Sequence, residues 1–125
     1  MKVWEPEEMN AAFAAAVRSG DVEQVLALYE PDALLAPQPR ARARGHEEIR
    51  AALTALVAIG GTIESHNNYC LQVGELALLQ GEWRLQTNAP DGSPLELGSR
   101  TAEIVRRQPD GSWLYVVDHA FADDA

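Results

Sequence analysis

Residues 62–121, TIESHNNYCLQVGELALLQGEWRLQTNAPDGSPLELGSRTAEIVRRQPDGSWLYVVDHAF, carry the reading that decides the fold. Thr62 to Val73, Leu76 to Thr87, Leu95 to Arg107 and Ser112 to Phe121 read as four strands, separated by the turn formers Gly74-Glu75, Asn88 to Pro94, and Pro109-Asp110-Gly111. Links this short force antiparallel neighbours, so the four strands form a meander. Period-two alternation then sorts their side chains onto two faces. In the second strand Ala77, Leu79, Gly81, Trp83 and Leu85 share one face, against Leu78, Gln80, Glu82, Arg84 and Gln86 on the other. In the last strand both sets are mostly apolar: Trp113, Tyr115, Val117, His119 and Phe121 against Leu114, Val116, Asp118 and Ala120. The few helices available cannot cover both faces of such a sheet. One face is therefore expected to meet a second copy of the chain, giving a homodimer through the sheet, or to enclose a cavity.

Upstream of Gly61 the spacing turns helical. Met9, Phe13, Ala16 and Val17 recur at three- and four-residue steps, with Pro6 suited to a first turn, Glu7 and Glu8 complementing the helix dipole and Gly20 ending the run. Asp21 is a good N-cap for a second helix bearing Val22, Val25, Leu28 and Tyr29, which Pro31 stops. Ala33 to Ala36 reads as a brief strand. A third helix fits His46 to Ile59, with Ile49, Ala52, Leu53, Leu56 and Val57 as its apolar stripe and Gly60-Gly61 as its break. The class is α+β: three N-terminal helices on an antiparallel sheet, in a single domain over 1–125, with 123–125 as a frayed acidic tail.

Composition excludes several functions. The chain has 125 residues, 46% of them hydrophobic, and a net charge of −9. Such a field opposes nucleic acid and anionic membrane surfaces, so neither is an expected partner. Ala51 to Ile59, the longest nearly apolar stretch, is too short to span a bilayer. The first eight residues carry three glutamates and no apolar run, so no secretory leader is expected. One cysteine, Cys70, cannot form an internal disulfide and is expected to sit inert in the sheet, which suits a reducing cytoplasm. His46-Glu-Glu-Ile-Arg50 has arginine where a zinc-binding helix needs its second histidine, and three scattered histidines do not make a ligand set, so neither metal nor cofactor is expected.

The order of elements, two helices, a short strand, a third helix and a long sheet, resembles the nuclear transport factor 2-like (NTF2-like) superfamily. Arg18-Ser-Gly-Asp21, Leu26-Ala-Leu-Tyr-Glu-Pro-Asp-Ala33, Gly45-His-Glu-Glu-Ile-Arg50 and Arg106-Arg-Gln-Pro-Asp-Gly-Ser-Trp-Leu-Tyr-Val-Val-Asp-His119 look like markers of its small SnoaL-like and ketosteroid-isomerase-like branch, of the DUF4440 type. The resemblance implies a cone of helices and curved sheet, holding an apolar small molecule, and dimers through the sheet. Its markers specify fold better than activity.

Ketosteroid isomerases combine an aspartate base with a tyrosine and a protonated acid. By the shared Ser-Gly-Asp turn the tyrosine falls on Phe13, the base near Ala36 and Pro37, and the second acid on Glu103. Without a base at 36 or 37, ketosteroid isomerisation is not the expected reaction. The same register points Gln80, Glu82, Arg84, Glu103, Tyr115 and His119 into the cone, which conflicts with plain alternation unless the Trp83 face is the dimer surface. Glu82 and Arg84, with Glu103 or Asp118, resemble in reversed order the acid-arginine-acid motif of limonene epoxide hydrolases. Glu103 and His119 are the expected catalytic pair, with Glu82, Arg84, Tyr115, Phe13 and His66 against the ligand. Each has a plainer alternative: His119 as a hydrogen-bonded lining residue, Glu103 in an ion pair with arginine, and Arg40, Arg42 and Arg44 as charges protecting an edge strand. The expected function is a cofactor-independent isomerase or hydrolase acting on an apolar substrate; the competing one is a non-catalytic ligand-binding or dimerisation module.

Overall fold

The structure is a computed structural model that describes residues 2–124. A 3-10 turn, Pro6–Glu8, runs directly into α1, Met9–Ser19, and Gly20 ends the helix in the left-handed conformation at φ 79°. Asp21 caps α2, Val22–Leu26, by accepting from the Glu23 amide at 3.0 Å. β1, Tyr29–Ala36, pairs with the two-residue β2, Ala43–Arg44; α3, Gly45–Ile59, follows. Then come β3, Thr62–Val73, β4, Leu76–Asn88, β5, Pro94–Arg107, and β6, Trp113–His119.

The six strands form one sheet in the order β2-β1-β6-β5-β4-β3. The last four strands are the expected antiparallel meander, and β1 joins it parallel to β6. That pairing corrects the reading of the second helix, which was expected to reach Tyr29. The Tyr115 amide donates to the Leu28 carbonyl at 2.8 Å and Tyr29 lies opposite Tyr115, so sheet pairing takes these residues from α2. Pro31 is tolerated there because β1 carries an irregularity between Tyr29 and Leu34. At the C-terminus Ala122–Asp124 form a 3-10 turn with Asp123 3.7 Å from Arg100, in place of a frayed tail; residue 125 lies outside the described residues.

α1 packs on β3 and α3 on β1, covering one face of the sheet. Leu79, Val105, Tyr115, Ile49 and Leu53 are buried between them, each contributing about 1.5–3 kcal/mol relative to exposure. Cys70 packs half-buried against this core, and burial raises its thiol pKa. Arg44 is exposed on the edge strand β2, where charge discourages pairing with another sheet. Among the described residues no helix is long and apolar enough to cross a membrane.

The two bulges in the meander matter most for the site. One falls between Asn67 and Tyr69 on β3, the other at Val116 on β6, where Ile104 and Val105, adjacent on β5, face Val117 and Tyr115. An inserted residue sharpens the local bend and moves every later side chain to the opposite face.

Candidate functional site

The helix-covered face of the sheet does not fill completely. Between α1, α3 and the strands lies a cavity of about 400 Å3, walled by Phe13, Leu53, Leu56, Ile63, Trp83 and Leu85. Trp83 is held there by its indole N–H, which donates to the Ala120 carbonyl at 2.7 Å, and by edge-on packing against Phe121. Pro37, Gln38, Ile59 and Leu97 also line the space.

Set into this apolar wall are two carboxyl groups. Glu103 and Asp118 face each other across β5 and β6, and both line the cavity at only 2% and 6% exposure. Each is held by neutral donors. The Tyr29 hydroxyl donates to Asp118 Oδ2 at 2.5 Å, and the Asn10 amide donates to Glu103 Oε1 at 3.2 Å. Asn10 is itself fixed: its Oδ1 accepts from the Tyr115 hydroxyl at 2.6 Å, and its amide also donates to Asn67 Oδ1 at 2.8 Å. The Asn67 amide in turn donates to the Glu7 carbonyl at 2.6 Å. The Tyr29 and Tyr115 ring centroids lie 5.0 Å apart with planes tilted by 38°, and Phe13 meets Tyr115 edge-on at 6.3 Å.

Burial decides the protonation of the pair. It pushes the Glu103 carboxyl up to about 8, with the neighbouring Asp118 adding to the rise and the Thr101 and Asn10 hydrogen bonds opposing it. Burial raises Asp118 to about 6, and the Tyr29 hydrogen bond opposes the rise. Both tyrosine hydroxyls are held well above their ordinary range, first by burial and then by Asp118. Near neutral pH the two carboxyls therefore share one proton, favouring Glu103.

This has a sign for stability. Both groups titrate higher in the folded chain than in the unfolded one, so their contribution is intact below about pH 4 and is lost as pH rises through the folded values near 6 and 8. Glu103→Gln removes the larger displacement. Urea denaturation should show the variant gaining stability on the order of 4 kcal/mol over the parent at pH 8.5 and almost nothing at pH 4. An equal gain at both pH values would mean that the carboxyl is not held neutral.

The structure divides the residues expected at the site. Glu103, Tyr115 and Phe13 line the cavity. His119, Glu82, Arg84 and His66 do not. Plain alternation is right for β4: Leu79, Gly81, Trp83 and Leu85 face the helices, which puts Glu82 and Arg84 on the outer face and removes Trp83 from any dimer surface. There Glu82 lies opposite His66, 3.4 Å from its ring, and Arg84 is 3.8 Å from Glu96. The acid-arginine-acid arrangement is therefore not formed in the cavity.

His119 is displaced by the bulge at Val116. Counting by twos from Tyr115 brings His119 inward, but the extra residue turns it to the outer face opposite Ala102, and Asp118 takes the inward place. Among the described residues Glu103 has no arginine partner. Tyr29 and Asn10 are not among the expected site residues, and Asp118 is expected only as an alternative acid of the acid-arginine-acid motif. Their only sequence signal is polarity at positions of apolar elements, Asn10 on the core stripe of α1 and Asp118 in the run Val116 to Ala120. Among the described residues no three His, Cys, Asp or Glu side chains are grouped to hold a metal ion.

A SnoaL-like domain family model matches residues 10–116, and the chain belongs to this SnoaL-like family. No curated protein sequence matches the chain. Solved structures share the fold. A ketosteroid isomerase-like protein from Erwinia carotovora atroseptica superposes with a TM-score of 0.78 at 18% identity, covering 90% of this chain and 88% of that one. A candidate calcium/calmodulin-dependent protein kinase type II association domain from Thiobacillus denitrificans gives 0.77 at 18%, covering 97% of each chain. A candidate dehydratase of the NTF2-like family from Streptomyces avermitilis gives 0.72 at 20%, covering 89% and 88%. At these identities the likeness is one of fold, and it spans proteins named for catalysis and for assembly alike.

Proposed function

We propose that the chain is a cofactor-independent acid–base catalyst that moves a proton on an apolar carbonyl compound, an isomerase in class, with Asp118 as base and Glu103 as acid. The observation that carries this reading is the pairing of two buried carboxyls of unequal proton affinity in the wall of an apolar cavity. Asp118 takes the proton from the carbon next to the carbonyl. The C–H pair becomes the new C=C bond, the C=O π pair moves to oxygen, and neutral Glu103 supports that oxygen by donating its proton toward it. Where the substrate carries a C=C bond β,γ to the carbonyl, the enolate extends into it; the oxygen pair then re-forms C=O, the double bond shifts, and Asp118 returns its proton to the γ carbon, completing an isomerisation with Glu103 keeping its own proton. The base differs from the one a ketosteroid isomerase uses, since Ala36 and Pro37 offer none.

Exchange of carbon-bound hydrogen for deuterium in bicyclic ketones such as tetralone, followed by NMR in D2O, tests the reading. Exchange should exceed the buffer rate with a bell-shaped pH profile whose limbs fall near 6 and 8. Exchange no faster than buffer across the panel would leave the competing reading, a non-catalytic ligand-binding or dimerisation module.

One feature favours an assembly role alongside catalysis. Leu71, Leu78, Ile104 and Val117 lie opposite one another across β3, β4, β5 and β6 on the outer face, the first three at 60%, 38% and 38% exposure. We propose that this row is the core of a homodimer interface. In sedimentation velocity at micromolar concentration the chain should run as a dimer and Leu78→Glu as a monomer; a monomeric parent removes the dimer. With a single cysteine and a charge of −9, a reducing cytoplasm is the proposed compartment, and nucleic acid and membrane surfaces are not proposed partners.

A further inference from the structure

The cavity's charge is one-sided. Of the side chains that line it, only Glu103, Asp118 and Tyr115 are ionisable, and all three ionise to anions. The seven ion pairs among the described residues involve neither carboxyl. Whatever negative charge the pair carries thus has no positive partner among the described residues. The groups that do touch it supply hydrogen bonds without charge, the Tyr29 hydroxyl to Asp118 and the Asn10 amide to Glu103. Asn10 cannot turn its oxygen toward Glu103, because that oxygen already accepts from Tyr115.

Asp118 also has capacity left. Its Oδ2 is taken by Tyr29, and no partner is found for Oδ1 among the described residues. No fully buried side-chain oxygen or nitrogen lacks a hydrogen-bond partner there, so Oδ1 opens on the cavity. An open carboxylate oxygen without a counter-ion, at the wall of an apolar space, is costly to leave alone and is complementary to one kind of ligand group. Around it Trp83, Phe13 and Tyr115 line the same space, and aromatic faces attract desolvated cations. The Trp83 N–H is already spent on Ala120, so this side chain offers the ligand its ring surface.

We propose that the cavity selects lipophilic amines, held as ammonium ions by Asp118 and Glu103 with one or two apolar rings against the Trp83 wall, and rejects carboxylates and phosphates of the same shape. The inference rests on the same acid pair as the proposed reaction, but it concerns binding and needs no turnover. A volume of about 400 Å3 accommodates a bicyclic body of this kind.

The test compares naphthylmethylamine, naphthylmethanol and naphthoate, which share a ring system and differ in charge. Each is titrated by calorimetry and by tryptophan fluorescence at neutral pH and physiological salt. The amine should bind about tenfold or more tighter than the alcohol, as a hydrogen bond to a charged group allows, and naphthoate should give no measurable binding. Asp118→Asn should bring amine and alcohol together, the amine losing far more affinity than the alcohol. Because the variant keeps nearly all of the chain's negative charge, a preference that survives in it would assign the effect to the general field and overturn the proposal. Alcohol binding equal to or tighter than amine binding, or no amine binding at millimolar concentration, would overturn it too. Should Asp118→Asn lose its folded circular dichroism spectrum, the pH dependence of the parent takes its place: the amine preference should fall as pH drops through about 6, where Asp118 takes up its proton, and a preference unchanged there would overturn the proposal. The two readings fail separately: amine selectivity without ketone exchange leaves this inference standing and removes the catalyst, and exchange without selectivity does the reverse.

Discussion

Asp118→Asn is expected to slow ketone proton exchange by roughly 10²–10⁴-fold, the range that a positioned general base contributes. Asparagine fills the same volume, and its carbonyl can still accept from the Tyr29 hydroxyl, which now bonds Asp118 at 2.5 Å. What it lacks is the ability to take a proton. The acidic limb of the rate profile, set by Asp118 near 6, should vanish along with the activity. The fold should not suffer, because the substitution removes a charge that burial disfavours; thermal melting at pH 8 should be unchanged or higher in the variant. Loss of activity with retained stability separates a catalytic role from a structural one. His119→Ala supplies the contrast. On the outer face opposite Ala102, His119 has no route to the cavity, and its removal should leave exchange unchanged. A variant lacking His119 that loses exchange while Asp118→Asn keeps it would reverse the assignment of the base.

That contrast shows where reading the sequence ends. The meander, the Asp21 cap, the Gly20 stop and the inward face of β4 all follow from local rules: turn formers, a capping carboxylate and alternation within one uninterrupted strand. Glu103 is legible through the register of the resemblance, which holds because β5 keeps its alternation through Thr101, Glu103 and Val105, all buried. Asp118 is not, because the phase of β6 changes at a single residue, and Val116 differs in no local property from the valine beside it. The bulge arises where β6 is pulled between β5 and a parallel β1 that carries its own irregularity, a tertiary constraint with no local signature. Tyr29 illustrates the same limit. Its spacing from Val25 suits a helix, yet burial under Tyr115 and a bond to Asp118 win over a helical turn that Pro31 would in any case end.

The same sheet divides two kinds of surface. Its inner side carries the acid pair and an apolar cavity, its outer side the row from Leu71 to Val117. Apolar surface that the helices leave uncovered lies on both sides. Dimerisation through the outer row would leave the cavity free, so Leu78→Glu should break assembly without changing the affinity of the cavity for a ligand.

Gly81→Ala is expected to be among the most damaging small substitutions in the chain. Gly81 is buried in the middle of β4, opposite Asn67 and next to the β3 bulge. A methyl there would meet the His66 carbonyl oxygen at 2.4 Å, a backbone atom that cannot swing aside, so the β3–β4 pairing itself must shift. Overpacking of this kind costs about 3 kcal/mol, to be read as a lower urea midpoint. The methyl would also stand 3.3 Å from Asn10 Nδ2, the atom that donates to Glu103. Pushing that amide away weakens a hydrogen bond that lowers the Glu103 pKa, so the alkaline limb of the exchange profile should move upward from about 8. Asn10→Ala, which removes the donor without the clash, should move the limb in the same direction. If Gly81→Ala melts with the parent and keeps its pH profile, then neither the tight approach of β3 to β4 nor its link to the acid pair is real; a shifted limb in both variants would tie the geometry of one glycine to the proton on Glu103.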